Sequence, residues 1–162
     1  MKKKRLLAFV LIILGLGVLS VIYPYLTGEK QIIKNYELED CFVERIIDGD
    51  TLVCSNIVNN ITIRLLGINT PEKGEFYYQE AKDFLRQLEN KEVKILRDFD
   101  DLGKYGRTLR YIFYEDRFVN IEILEQGYGV AFMTENLVYE DKLLRAEEVA
   151  KEGCFGVWMG KC

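Results

Sequence analysis

After residue 40, short segments rich in β-branched and aromatic residues alternate with turn-forming residues, a pattern typical of β-strands. Five segments show it: Val43–Ile47, Thr51–Ile57, Ile61–Leu66, Glu92–Asp98 and Arg107–Tyr114. The reversals between the first three are DGD at 48–50 and NN at 59–60, which favour tight turns. Gly67 and Pro71 then end the third strand and hold the next residues in a loop.

Three further segments have apolar residues at helical spacing, which predicts amphipathic helices. They are Gln79–Asn90, Ile121–Gln126 and Tyr139–Glu152, and Asn120 is a suitable N-cap for the second of them. Five strands with interspersed helices predict an α+β fold that is mainly a β-barrel. We expect an oligonucleotide-binding (OB) type barrel of five strands with about three helices.

The first 26 residues have a different composition from the rest of the chain. Residues 6–26 contain no charged residue and follow a basic cluster at 2–5, which predicts a single-pass transmembrane helix that leaves the remainder outside the cytoplasm. A cleaved signal peptide, which would make the protein secreted, is the alternative. Residues 27–40 are polar and predict a linker, so we expect the folded domain at 41–162.

The formal net charge of −4 conceals an uneven distribution. Residues 1–30 hold five of the 22 basic residues and one of the 26 acidic residues, so the remaining chain has 17 basic and 25 acidic residues and a net charge of −8. An acidic domain binds nucleic acid poorly without specific contacts, because affinity for the phosphate backbone comes mainly from Lys and Arg. A phosphodiester substrate would therefore need a local basic site or a bound cation.

The chain contains no histidine, which excludes catalytic triads with histidine and histidine-ligated zinc. Its four cysteines have no CxxC spacing, so a zinc site made of all four is weakly indicated and disulfides are the expected alternative. Cys154 and Cys162 bracket the C-terminal segment and are the first expected pair. Cys41 and Cys54 are expected on opposite faces of the first hairpin, where a direct bond is unfavourable.

Carboxylates and neutral oxygens gather around the predicted turns. Asp48 suits a tight turn, whereas a second aspartate, Asp50, is rarely needed for one and could hold a divalent cation with Asn69 or Thr70. Glu72 follows in the same loop as a candidate base or a solvated side chain.

Two arginines accompany these oxygens. Arg64 lies on the polar face of its strand and Arg107 at the start of another, and each by itself is expected to be a solvent-exposed charge. Two arginines, a metal-binding carboxylate and a glutamate together are typical of phosphoryl-transfer chemistry.

Several motifs, in order, resemble the staphylococcal nuclease-like (thermonuclease) family. They are IDGDT at 47–51, IRLLGINTPE at 63–72, KYGR at 104–107, FVNIEILEQGY at 118–128 and a late Ala-Glu helix that runs into GVW at 156–158. The resemblance covers about residues 42–158. It implies a five-stranded OB-type barrel with three helices and the Ca²⁺-dependent hydrolysis of DNA and RNA.

The resemblance also implies roles for individual residues. Asp50 would be a direct ligand of one Ca²⁺, Thr70 would add its backbone carbonyl, and Asp48 would support the site. Arg64 and Arg107 would hold the phosphate. Glu72 would be the candidate general base.

Asn69 departs from the family pattern, which has aspartate at this position. An amide oxygen can still bind a cation, but the loss of a negative charge predicts weaker Ca²⁺ affinity. Gly103 likewise stands where the family usually has aspartate. Both changes leave the arginines and Glu72 in place.

Lys104 and Tyr105 are candidates for the rim of the substrate site, because their loop is polar and contains glycine. Tyr128 and Phe132 could also stack on bases, although we interpret Phe132 as a packed residue. Together these features predict a monomeric, membrane-anchored, extracytoplasmic, calcium-dependent endonuclease acting on DNA, RNA or both. The alternative is a non-catalytic module that binds nucleic acid or protein.

Overall fold

The computed structural model describes residues 37–56, 58–98, 106–133 and 137–161. The strands assigned within these ranges are β1 (Leu38–Ile46), β2 (Thr51–Ser55), β3 (Asn60–Leu65), β4 (Ile68–Asn69), β5 (Glu92–Leu96), β6 (Thr108–Tyr114), β7 (Arg117–Phe118) and β8 (Val130–Ala131). The helices assigned there are α1 (Tyr78–Arg86), α2 (Val119–Glu125), α3 (Glu140–Glu152) and a 3₁₀ helix (Gly156–Trp158).

Five of the strands close into a barrel. Antiparallel pairing joins β3 to β2, β2 to β1, β1 to β5 and β5 to β6, and a parallel pairing of β3 with β6 completes the circuit. The closing register places Arg64 beside Leu109, while Thr51 of β2 lies opposite Arg64 on its other side. The five predicted strands and the three predicted helices are therefore confirmed, with shifted ends.

The barrel interior is filled by the inward-facing residues of these strands. Leu52, Ile63, Ile95 and Tyr111 are completely buried, and α1 covers the barrel with Phe84 and its neighbours. Full burial of one such apolar side chain stabilises the fold by about 1.5–3 kcal/mol. The barrel is thus a packed core, and the residues at the ends of its strands are held in fixed positions at the surface.

Two predicted boundaries differ from the structure. β1 begins at Leu38, inside the segment predicted to be a linker, because its first residues pair with the end of β5. Asn120 is not an N-cap, because α2 already begins at Val119 and its N-cap is Phe118. Its buried amide instead accepts a hydrogen bond from the Ile112 N–H (2.9 Å) and donates one to the Leu66 carbonyl (2.8 Å), which ties α2 to the barrel.

Cys41 and Cys54 form a disulfide, with their Cα atoms 5.8 Å apart, so the prediction that they lie on opposite faces is wrong. The register of β1 against β2 shifts between Val43 and Arg45, and Glu44 is left without an opposite residue. This β-bulge changes the pleat parity, so Cys54 lies opposite Val43, on the same face as Cys41.

The disulfide also contradicts a zinc site built from all four cysteines. Cys154 is itself disulfide-bonded, and Cys162, its expected partner, lies outside the described residues.

The predicted anchor at 6–26 also lies outside the described residues. Among the residues that are described, no helix has the length and apolar character needed to cross a membrane.

Candidate active site

Asp50 is the most enclosed acidic residue of the candidate site, with 5 % of its surface exposed. Its Oδ1 accepts a hydrogen bond from the Thr51 hydroxyl (3.0 Å), and its Oδ2 accepts bonds from the backbone N–H (2.9 Å) and hydroxyl (3.0 Å) of Thr70. The Asp50 carbonyl accepts the Leu65 N–H at 2.8 Å. These bonds connect the start of β2 to the loop after β4, and they stabilise the carboxylate in its charged form.

The turn that presents Asp50 is shaped by the two residues before it. Asp48 Oδ1 accepts the Asp50 N–H at 3.3 Å, so the expected turn role of Asp48 is present. A Cβ on Gly49 would lie 2.7 Å from Thr70 Oγ1 and 2.8 Å from the Ala81 Cβ. The residue between the two aspartates must therefore be glycine for the turn to pack against Thr70 and α1.

Arg64 is held between two oxygens rather than exposed to solvent. Its Nη1 forms an ion pair with Asp50 Oδ2, and its Nη2 donates a hydrogen bond to Asn69 Oδ1 at 2.8 Å. Only 13 % of its side chain is exposed, so the expectation of a solvent-facing arginine is wrong. The enclosure comes from the turn that carries Asp50 and from Asn69 of β4, whose oxygens lie on the guanidinium.

The charges around Arg64 show which residues share its surroundings. The pKa of Arg64 is lowered to about 10, with burial as the largest cause and repulsion by Arg107 as the second. Asp48 and Glu72 act in the opposite direction and raise it. Both guanidiniums and both carboxylates therefore lie within electrostatic reach of one another, and Arg64 remains protonated at neutral pH.

Glu72 is the exposed carboxylate of the group. Its backbone N–H donates to Glu75 Oε2 at 2.7 Å, which holds the loop in place. Within the part of the chain that the structure describes, the Glu72 carboxylate itself has no hydrogen-bond partner. It is thus positioned near the arginines and open to water.

The structure brings seven of the predicted residues to one end of the barrel, where β2, β3, β4 and the start of β6 meet. They are Asp48, Asp50, Arg64, Asn69, Thr70, Glu72 and Arg107. The predicted rim residues Lys104 and Tyr105 lie outside the described residues.

The other two aromatic candidates are Tyr128 and Phe132, and the structure places each differently from the sequence-based interpretation. Tyr128 is half-buried and stacks against Tyr77 and Phe84, with ring centroids 5.9 and 4.9 Å away, so it packs. Phe132 is 56 % exposed, and its interpretation as a packed residue is wrong.

Two residues of the site were missed by the sequence reasoning. Thr51 donates to Asp50, and nothing in the strand pattern distinguishes this threonine from any other. Gly129 lies where β8 approaches β4, and a Cβ there would be 2.7 Å from the Asn69 carbonyl oxygen. The glycine-rich run at 127–129 is a signal of close approach that could have indicated it.

The oxygens of Asp50, Asn69 and Thr70 are of the type that Ca²⁺ prefers. One carboxylate, one amide and one backbone carbonyl carry a single formal charge, and Asn69 already accepts a hydrogen bond from Arg64. Among the described residues, no three His, Cys, Asp or Glu side chains form a group that could hold a metal. The donors fit a calcium ion by type, with a low total charge.

A family model described as staphylococcal nuclease homologue matches residues 62–160. The match covers more than half of the chain. The chain belongs to this family. The matched region includes Arg64, the loop at 69–72 and Arg107.

Curated relatives agree with this assignment. The chain is 28 % identical to "Thermonuclease" of Staphylococcus intermedius, over 91 % of this chain and 94 % of the relative. It is 34 % identical to "Uncharacterized endonuclease" of Haemophilus influenzae, over 75 % and 67 %. It is 32 % identical to "SPbeta prophage-derived endonuclease YokF" of Bacillus subtilis, over 75 % and 45 %. The protein is a hydrolase, a nuclease of phosphodiester bonds.

Proposed function

We propose that this protein is a calcium-dependent endonuclease that hydrolyses phosphodiester bonds in DNA, RNA or both. The observation that supports it most is the position of Arg64, which is held between Asp50 and Asn69 with Arg107 and Glu72 beside it. A guanidinium fixed in this way is oriented before the substrate arrives, so no free energy is spent on ordering it at the reaction step.

In this proposal the two arginines bind the phosphate. Arg64 uses part of its guanidinium for Asp50 and Asn69, and the other N–H groups can donate to a phosphate oxygen. Arg107 adds a second positive charge next to it. As water attacks, negative charge increases on the equatorial phosphate oxygens, and both guanidiniums stabilise it.

Glu72 is the general base of the proposed reaction. Its exposed carboxylate can accept a proton from the attacking water, whose oxygen forms the new bond to phosphorus. The bond to the leaving oxygen breaks, and that oxygen takes a proton from solvent.

The cation site would be formed by Asp50, the Thr70 carbonyl and the amide oxygen of Asn69. A bound Ca²⁺ would supply positive charge that offsets the charge of the phosphate. With one formally charged ligand, we expect an affinity weaker than that of a site with two.

We also propose that the enzyme is a monomer, anchored through residues 6–26 with its folded domain outside the cytoplasm. The Cys41–Cys54 disulfide supports an oxidising compartment. Protease accessibility of the domain in intact cells tests this location. Digestion only after lysis would contradict it, and release into the medium would favour a cleaved signal peptide.

The catalytic proposal is tested with the full chain in detergent on single-stranded DNA and RNA, with Ca²⁺ or with a chelator. We expect cleavage only with Ca²⁺. Arg64→Ala and Glu72→Ala should each lower kcat/KM about 100-fold or more, because each removes charge stabilisation or proton transfer. The exposed Arg45→Ala and Glu39→Ala are matched controls and should retain full activity. A wild-type protein inert on both nucleic acids in millimolar Ca²⁺ would contradict the proposal.

The alternative, a non-catalytic binding module for nucleic acid or protein, is favoured by one observation, the low charge of the cation site. Asn69→Asp distinguishes the two. Activity that is present only in the variant would identify the native chain as a binding module.

A further inference from the structure

A groove of about 440 Å³ begins at the candidate active site. Asn69 and Thr70 line one end, while Phe76 and Lys161 also line it. Asn69 Oδ1 is 2.8 Å from Arg64 Nη2, so the groove starts directly beside the guanidinium proposed to bind phosphate. A nucleic-acid strand held there by its phosphate has this groove available for the adjacent nucleotide.

Phe76 presents an aromatic ring to this groove with 63 % of its surface exposed. Large aromatic side chains are usually buried, so an exposed ring beside an active site is a candidate for ligand contact. The loop before it is held by the hydrogen bond from the Glu72 N–H to Glu75 (2.7 Å), and the next residue, Tyr77, has a φ of 70°. The loop therefore has a definite conformation that directs Phe76 outwards.

A series of ring contacts also fixes the position of Phe76. Its ring centroid is 5.3 Å from that of Tyr77, Tyr77 stacks on Tyr128 at 5.9 Å, and Tyr128 stacks on Phe84 at 4.9 Å. Phe84 belongs to α1 and is 7 % exposed. Phe76 is thus the outermost ring of four that extend from the core to the surface, and it is ordered without being buried.

We propose that this groove binds one unpaired nucleotide next to the phosphate at Arg64, with its base stacked on Phe76 and Lys161 near the flanking phosphate. This rests on the proposed nuclease function and adds to it a binding position for the nucleotide next to the phosphate, with Phe76 as the stacking residue. Stacking on a protein ring requires a base whose face is free, and bases within a duplex are already stacked on both sides. The groove volume is within the range of ligand sites, about 300–1,000 Å³. Glu75 and Lys161 give its lining no net charge.

Binding is tested with the full chain in detergent, in Ca²⁺, on a Glu72→Gln background that prevents cleavage of the probe. The probe is a fluorescein-labelled 12-nucleotide single strand, followed by anisotropy. Phe76→Ala should weaken binding about 5- to 150-fold, since stacking of one base is worth about 1–3 kcal/mol. Phe76→Trp should retain the wild-type affinity. Phe42→Ala removes another exposed phenylalanine, from β1, and is the matched control that should leave affinity unchanged.

Kinetics separates this inference from the nuclease proposal. In the active protein, Phe76→Ala should raise KM for single strands with little change in kcat, and it should leave the cleavage of duplex unchanged. Loss of binding in Phe76→Ala supports the groove even if the wild-type protein proves inert. Unchanged affinity, or an equal loss in Phe42→Ala, overturns the inference. Circular dichroism and thermal unfolding of Phe76→Ala should match the wild type, because the side chain is mostly exposed.

Discussion

Asn69 contributes to two functions of the proposed site, the orientation of Arg64 and the binding of the cation. Its amide oxygen accepts a hydrogen bond from Arg64, and it is also one of the three proposed cation ligands. A neutral acceptor holds the guanidinium without adding a second negative charge to that of Asp50, whereas a carboxylate would bind the cation more strongly and further offset the charge of Arg64. In the proposed mechanism, the amide therefore favours phosphate binding by Arg64 at the expense of cation affinity.

Asn69→Asp should raise the affinity for Ca²⁺ about tenfold, because ligand charge has a large effect on the binding of hard cations. Isothermal titration calorimetry on the full chain, without nucleic acid, measures this directly. Asn60→Asp adds the same charge at an exposed position at the start of β3, away from the proposed cation ligands, and should have no effect. Equal affinities of the wild type and Asn69→Asp would show that residue 69 does not bind the cation.

At the scale of elements, the bulge at Glu44 determines which residues of β1 and β2 face one another. The shifted register places Cys41 and Cys54 on one face, and their disulfide joins the two strands that lead into the Asp48–Asp50 turn. The same turn packs on α1 through Gly49. The site therefore depends on a covalently connected hairpin.

Replacing both Cys41 and Cys54 by alanine should lower the free energy of unfolding by about 3 kcal/mol, the value expected for a loop of this size. Urea unfolding of the oxidised wild type and of the double variant measures the difference. Since Cys154 is in a separate disulfide, the variant should remain sensitive to reductant. A loss below about 1 kcal/mol would indicate that the hairpin is maintained by packing alone.

A second connection between elements uses a buried tyrosine. The Tyr111 hydroxyl of β6 donates to Asp98 Oδ2 at 2.5 Å, and the same oxygen accepts the Val138 N–H at 3.0 Å, just before α3. Burial, together with the hydrogen bond to Asp98, raises the pKa of Tyr111 well above its usual value of 10. The folded state thus keeps this hydroxyl protonated where the unfolded chain loses the proton.

The contribution of Tyr111 to stability should therefore decrease as pH rises above about 10, because at this residue the unfolded state then binds fewer protons than the native state. Tyr111→Phe should cost about 1–3 kcal/mol at pH 7, since Asp98 loses a donor, and it should reduce the slope of stability against pH above 10. Urea unfolding between pH 7 and about 11 compares the two proteins. Identical slopes would show that Tyr111 does not contribute to the pH dependence of stability.

At the scale of the whole molecule, the negative charge of residues 31–162 limits how the protein meets nucleic acid. General attraction to the backbone is weak in an acidic domain, so binding depends on the few cations gathered at one end of the barrel. The barrel fold brings two of these cationic side chains, Arg64 and Arg107, close to each other.

The salt dependence of cleavage should therefore be shallow. If the two arginines make the main ionic contacts with the strand, log kcat/KM for single-stranded DNA should fall with log[NaCl] with a slope no steeper than about −1.4. Steady-state rates at constant Ca²⁺ between about 50 and 200 mM NaCl measure it. A slope steeper than about −4 would indicate a larger basic surface and would contradict the dependence on two arginines.

The sequence by itself determined the strands, the helices, the reversals between them and the set of chemically active residues. These features depend on neighbours a few positions away: side-chain alternation in strands, helical spacing, and the conformations that Asp, Asn and Gly allow. The family motifs added the expected roles of Asp50, Arg64 and Glu72, which stay predictions.

Only the tertiary structure decided where those residues lie and what they contact. Arg64 is enclosed because the turn at Asp50 and the strand β4, which pairs with β8, bring two oxygens onto its guanidinium. The disulfide required a one-residue bulge, and the exposure of Phe76 required a series of rings from distant segments. Such contacts join residues far apart in the chain, and their geometry is determined by strand register and barrel closure, which local patterns do not specify.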